Sequence, residues 1–269
     1  MQKYRKPYRI KKKKSIFRNR FFWLTIFIFL FLSALFYVLF FISYFQTKEI
    51  KISGNEKTQN EELVKIINQY DNQKILFFYS KSIFLIPRNK IKLEIIRQFP
   101  QIKEARLKIK FPDTLLIEIK ERKEIGCYCR NQDLNNNEEK NICYFIDGEG
   151  IAFKELSDNC PLDLIIKKSV NEDMRLGDKI IEENILKIIQ EVNQKMKESL
   201  KILISEFNIE DKLIVKTFDG WEIYFSYEKD INLQLTQLKT LLESKIPPEN
   251  RGSLEYIDLR FNKIFWKFK

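Results

Sequence analysis

Residues 21–45 read FFWLTIFIFLFLSALFYVLFFISYF, and the 27 positions between Arg20 and Lys48 carry no charge. About 20 residues, at a rise of about 1.5 Å each, cross a hydrocarbon core of about 30 Å. Apolar side chains surround the whole helical circumference, which separates this stretch from an amphipathic core helix. The run is longer than the apolar core of a signal peptide, and Ser43-Tyr44-Phe45-Gln46-Thr47 offers no small-residue cleavage site. We therefore expect a transmembrane helix over 21–45. Phe21, Phe22 and Trp23 form an aromatic belt at one boundary, and Tyr44 and Phe45 at the other.

On the N-terminal side, residues 1–20 form a basic tail holding Lys3, Arg5, Lys6, Arg9, Lys11, Lys12, Lys13, Lys14, Arg18 and Arg20, with no acidic residue. The positive-inside bias assigns this tail to the cytoplasm and the 222 residues from Lys48 onward to the outside. Taking these ten from the 48 basic residues leaves 38 against 37 acidic ones, so the net charge of +11 belongs to the tail. A nucleic-acid partner is not expected. The tail instead meets anionic headgroups, at about 1 kcal/mol per basic residue near the surface. The chain has no histidine, which removes Ser/His and Cys/His catalysis and every histidine-containing metal site. No cofactor, metal or small-molecule substrate is expected.

About 220 residues after an anchor suit two domains. In residues 46–122, KEIKIS (48–53) alternates as a strand and Gly54-Asn55 turns. Thr58 with Glu61 reads as a capping box for a helix with Leu63, Ile66, Ile67 and Tyr70 on one face. After the apolar segment ILFFYSKSIFLI (75–86) and Pro87, Asn89 is placed to cap a second helix carrying Ile91, Ile95, Ile96 and Phe99, which Pro100 ends. Two strands around Ala105–Phe111 and Leu115–Ile119 flank a Pro112-Asp113 turn. The order is β-α-α-β-β, a small sheet with two helices on one face.

Residues 123–269 read as a mixed, mostly antiparallel β-domain with flanking helices. IGCYCR and ICYFID form a hairpin around the loop 131–141, and Asp147-Gly148-Glu149-Gly150 turns into IAFKE. Asp147 and Glu149 could serve as acid and base, but Asp-Gly is what such a turn requires and no second constellation accompanies it. Asp178 is expected to cap a helix with Ile181, Ile185, Ile188, Ile189 and Val192 in helical spacing. The strands KILISEFNIE, KLIVKTF and WEIYFSY follow, then a helix over 231–242 stopped by Pro247-Pro248, then SLEYIDLRF and KIFWKF.

Cys127, Cys129, Cys143 and Cys160 all lie in this second part. Two disulfides, free thiols or a four-thiolate zinc site are open to them. In the disulfide reading, Cys143 on one hairpin strand meets Cys127 or Cys129 on the other, leaving Cys160 for the remaining one.

The phrases IKISGNEKTQNEELVKI and IIRQFPQIKEARLKIKFPDTLLIEIKER resemble a polypeptide-transport-associated (POTRA) domain just outside a single anchor, as in the FtsQ/DivIB family of bacterial cell-division proteins. DGWEIYFSYEKDINLQLTQLKTLL and LEYIDLRFNKIFWKF are similar to that family's C-terminal signature. The junction departs from the family, with Lys123-Glu124-Ile125 where a proline and a small apolar residue are usual. The resemblance implies an α+β, non-enzymatic, single-pass scaffold of the cell membrane at the division septum, binding FtsB/DivIC-like and FtsL-like partners and influencing septal peptidoglycan synthesis. It further implies that a partner adds a strand beside the last strands. On that implication Tyr256, Leu259, Arg260, Phe261, Ile264, Trp266 and Phe268 are the candidate contacts. The reading from another class is a membrane-anchored envelope protein with a cysteine-based redox or zinc site.

Overall fold

The structure, a computed structural model, describes residues 20–71, 73–75, 78–133, 139–157, 159–168 and 174–269. The basic residues expected to set orientation lie outside these except for Arg20, as does part of the 131–141 loop. The chain divides into two compact units, one of 1–53, 58–92 and 106–118 and another of 54–57, 93–105 and 119–269.

In the first unit the apolar stretch forms helix α1 (Arg20–Phe41), followed by a 3₁₀ turn at Ser43–Phe45. None of its residues is buried, as suits a helix whose surroundings are lipid. It is long and apolar enough to cross a membrane. Strand β1 (Glu49–Ser53) pairs in parallel with the start of β5 (Thr114–Glu121), Ile50 opposite Leu115 and Ile52 opposite Ile117. Between them lie α2 (Asn60–Tyr70), a short hairpin of β2 (Gln73–Ile75) and β3 (Phe78–Ser80), α3 (Arg88–Gln98) and β4 (Ile102–Lys110). The sheet order is β1-β5-β4. Helix α2 buries Leu63, Ile66 and Ile67 at the expected spacing.

Two expected caps are corrected. Gln59, with no side-chain capping bond, and not Thr58 occupies the N-cap of α2. Helix α3 begins at Arg88, directly after Pro87, which leaves Asn89 inside its first turn. The Ile91 N–H donates to the Pro87 carbonyl at 3.1 Å as the first bond of the helix, so the cap position falls on Pro87.

The second unit is built on a nine-stranded mixed sheet in the order β14-β13-β12-β11-β10-β9-β6-β7-β8. Its first half is β6 (Gly126–Asp133), β7 (Glu139–Ile146) and β8 (Ala152–Leu156), an antiparallel meander. Gly150, at φ +79°, makes the turn into β8, and a side chain there would collide with the Ile181 carbonyl. Strand β9 (Ile165–Lys168) runs parallel to both β6 and β10 and joins the halves. The second half is β10 (Ile204–Ile209), β11 (Leu213–Thr217), β12 (Glu222–Phe225), β13 (Leu254–Asp258) and β14 (Phe265–Phe268). Helices α4 (Glu183–Lys195) and α5 (Ile231–Ser244) contribute Leu186, Ile189, Val192, Leu235, Leu238 and Leu242 to a core that also takes Trp221, Phe207 and Phe225.

The third cap is also corrected. Helix α4 starts after Glu182, and the Asp178 carboxylate instead accepts from the backbone N–H of Arg175 at 2.9 Å. Gly177, at φ +98°, turns the chain there, and Ile180 and Ile181 bond back to the Gly150 carbonyl before the helix begins. Helix α5 is capped by Asp230, whose carboxylate accepts from the Leu233 N–H at 2.9 Å.

Candidate partner-binding edge

The C-terminal edge is made by a β-α-β crossover. Strand β12 ends at Phe225, α5 crosses, and β13 returns parallel to β12 with Glu222 opposite Tyr256 and Tyr224 opposite Asp258. The parallel return needs a helix-length connection, and the amphipathic 231–244 segment supplies it. Its entry is fixed by Gln234, which is fully buried. The Gln234 amide accepts from the Ser226 N–H at 2.9 Å and donates to the Ser226 and Lys229 carbonyls. Strand β14 then folds back antiparallel on β13, with Ile257 opposite Trp266 and Asp258 opposite Phe265.

β14 has one neighbour in the sheet, β13. The Lys269 N–H donates to the Ser253 carbonyl at 2.8 Å, so residues 269, 267 and 265 turn their main-chain groups toward β13. By the two-residue alternation of a strand, Trp266 and Phe268 turn theirs outward.

The side chains sort by face. On the core side Ile257 and Leu259 are completely buried, and Ile264 and Trp266 pack half-buried against the same core. Lys245 lies 5.2 Å from the Trp266 ring centroid, a cation over an aromatic face. Leu259 is therefore corrected as a contact residue: it lies past the end of β13 and its side chain belongs to the core. On the other face Tyr256 stacks on Tyr224 with centroids 5.5 Å apart, and Arg260 lies 5.6 Å from the Tyr224 ring and 5.3 Å from the Phe261 ring. Phe261 and Phe265 are exposed there and meet edge to face at 5.9 Å, while Phe268, also exposed, shares the Trp266 side of β14. Six of the seven expected side chains thus keep some access to solvent at this edge, on both faces of one hairpin.

Arg260 is held in place by Asp258. Its Nε donates to Oδ1 at 3.0 Å and its Nη2 to Oδ2 at 2.7 Å. Burial pushes the Asp258 carboxyl up, but the Arg260 hydrogen bonds outweigh it and hold the carboxyl below its ordinary value. The Tyr224 hydroxyl is pushed up to about 12 by burial and by its hydrogen bond to Glu222. Lys267 is raised by its hydrogen bond to Glu255, 2.5 Å away across the hairpin. Neither Asp258 nor Tyr224 changes charge near neutral pH, so the edge presents a fixed pattern of lysine, arginine and aromatic rings. The Tyr224–Tyr256 stack lay beyond sequence reading, because it depends on the parallel pairing that α5 creates.

The cysteines sit at the opposite half of the sheet, buried with Phe145, Leu156 and Leu162. Cys129 lies directly opposite Cys143 across β6 and β7, with Cα atoms 4.1 Å apart, and the two are joined. Cys127 is joined to Cys160, Cα atoms 6.0 Å apart. No group of three or more Cys, Asp or Glu side chains among the described residues is arranged to hold a metal ion. Asp147 and Glu149 do not form a carboxylate dyad either. Asp147 is buried and accepts from the N–H groups of Glu149 and Ile151, whereas the Glu149 side chain is part-exposed and paired with Lys103 at 2.9 Å and with Arg122 at 3.5 Å.

Residues 45–122 match the POTRA domain, FtsQ-type. Cell division protein DivIB of Clostridium tetani (strain Massachusetts / E88) is 24% identical over 225 residues, covering 81% of this chain and 77% of that protein. An FtsQ-type POTRA domain thus stands behind an apolar N-terminal helix, and along most of its length the chain is similar to a DivIB cell-division protein.

Proposed function

We propose that the chain is a non-catalytic, single-pass connector of the division machinery, whose β14 edge receives an extended segment of an FtsB/DivIC-like partner as an added strand. An FtsL-like protein joins the same assembly, and through it the chain influences septal peptidoglycan synthesis at the septum. The ten basic residues of the tail support a cytoplasmic N-terminus, with 46–122 and 123–269 as successive extracytoplasmic domains.

The observation that carries this reading is the edge itself. Among the described residues β14 is paired on one side only, its outward main-chain groups belong to Trp266 and Phe268, and exposed Phe261, Phe265 and Phe268 surround it. An added strand gains affinity from main-chain hydrogen bonds and specificity from alternate side chains. Lysines on an edge discourage self-pairing, and Lys263, Lys267 and Lys269 serve that role while favouring a partner strand with acidic residues.

The test is a binding titration of residues 48–269 against the extracytoplasmic segment of the host's FtsB-like protein, with and without deletion of Lys263–Lys269. Saturable binding that the deletion removes, with the circular dichroism of the fold retained, supports the reading. A folded intact domain that does not bind removes the edge mechanism.

A further inference from the structure

The outer end of α1 is finished by side chains from 40 residues further along the chain. Ser82 Oγ donates to the Leu39 carbonyl at 2.9 Å, and Ser80 Oγ donates to that of Phe40. The Gln46 side-chain amide reaches the Phe41 carbonyl at 3.4 Å. The last four carbonyls of a helix have no partner within it, so these bonds occupy acceptors that lipid cannot satisfy. The main chain continues the tie: the Thr47 N–H donates to the Lys81 carbonyl at 3.1 Å and the Lys48 N–H to that of Asp113 at 3.0 Å. All of these residues lie in the first unit.

Depth in a bilayer follows from the length of α1. Its 22 residues extend about 33 Å at about 1.5 Å each, against a hydrocarbon core of about 30 Å. Phe41 therefore marks the edge of the hydrocarbon, and groups bonded to carbonyls 39–41 lie within about 5 Å of it. At that level a row of rings runs around the folded region. Phe45 and Phe84 have centroids 5.6 Å apart, and Phe84 and Phe111 are again 5.6 Å apart. Phe111 is 64% exposed, Tyr44 59% and Phe84 40%, while the neighbouring Ile83 is completely buried. Lys48 and Lys81 flank the rings, paired with Asp113 at 3.5 Å and Asp71 at 3.3 Å.

We propose that this rim of Tyr44, Phe45, Phe84 and Phe111 is a lipid-binding surface, seated in the headgroup layer of the leaflet at the Phe41 end of α1. The occupant is the bilayer itself, because Tyr44 and Phe45 follow the unburied spanning helix directly along the chain and Phe84 and Phe111 join them ring to ring. Aromatic rings with flanking lysines are what that layer favours. The serine caps and the rim then hold the anchor and the base of the POTRA domain as one piece on the membrane.

The test uses the full chain reconstituted in phosphatidylcholine–phosphatidylglycerol vesicles whose acyl chains carry bromine at carbons 6 and 7. Phe84→Trp and Phe111→Trp each add one fluorophore, read as the difference from the parent. Seated rings lose about half or more of the added emission to the brominated lipid and are shielded from aqueous acrylamide. Added emission that acrylamide quenches and bromine does not touch overturns the proposal. The unaltered chain gives an independent reading with a phosphatidylcholine carrying a photoreactive diazirine near the glycerol. Label on peptides containing Phe84 and Phe111 supports the rim, and label confined to α1 overturns it.

Discussion

Arg122 and Asp147 form a buried ion pair in the second unit, Nη1 to Oδ2 at 2.5 Å, with side chains 8% and 4% exposed. Both partners are also tied to the backbone. Arg122 Nε donates to the Pro100 carbonyl at 3.0 Å, and Asp147 Oδ1 accepts two backbone N–H groups of the turn that leads to β8. Removing Arg122 strips the buried Asp147 of its cation, and removing Asp147 leaves Arg122 only the part-exposed Glu149 carboxylate at 3.5 Å; breaking a buried pair costs about 3–5 kcal/mol. Arg122→Met and Asp147→Leu should each lower the urea midpoint of residues 48–269 strongly. The double variant should recover part of that loss. An additive double variant would show that the two residues act independently.

The two disulfides should be visible chemically and energetically. Cys129 and Cys143 are 14 positions apart in sequence and Cys127 and Cys160 are 33 apart. Loops of this size correspond to about 3 kcal/mol each in the chain-entropy account. Alkylation of denatured, unreduced protein should add no label by mass spectrometry, and prior reduction should add four. Reduction should also shift the unfolding midpoint downward. Label on the unreduced chain would return the thiol reading to consideration.

Much of this could be read from the sequence where local chemistry decides. Unbroken apolarity placed α1, two-residue alternation placed β1, β4, β5 and the C-terminal strands, and Pro87 and Pro100 bracketed α3. What escaped depends on contacts far apart in sequence. Strand β9 is four residues, IIKK, too short for a period to emerge, yet it ties the sheet together by pairing with β6 and β10. Asp178 had the chemistry of a cap but was claimed by a turn anchored on Gly150. Leu259 sat in a signature that reads as a contact strand, and the core took its side chain.

Acid should weaken the edge through Asp258. Its pKa is lower folded than unfolded, so it contributes stability above the ordinary aspartate value, and this is lost as pH falls through that value toward the folded one. Asp258→Asn should therefore flatten part of the decline in unfolding free energy between about pH 5 and pH 2. The comparison with the parent isolates this group from the other lowered carboxylates. An unchanged acid limb would mean that Arg260 does not hold Asp258 in solution.

The outward main chain of β14 can be probed one N–H at a time. Phe268 directs its N–H away from β13 and Lys267 directs its own inward, so proline at the two positions has different consequences. Phe268→Pro removes a donor that an added strand would use, and edge strands accept proline where the N–H faces outward. Compared with Phe268→Ala, it should weaken partner binding about tenfold, the worth of one net hydrogen bond of about 1.4 kcal/mol, with little change in unfolding midpoint. Lys267→Pro removes a rung between β13 and β14 and should lower the midpoint as well as the affinity. Equal binding by Phe268→Pro and Phe268→Ala, measured by titration calorimetry on folded protein, would place the partner on a face of the hairpin and not along its edge.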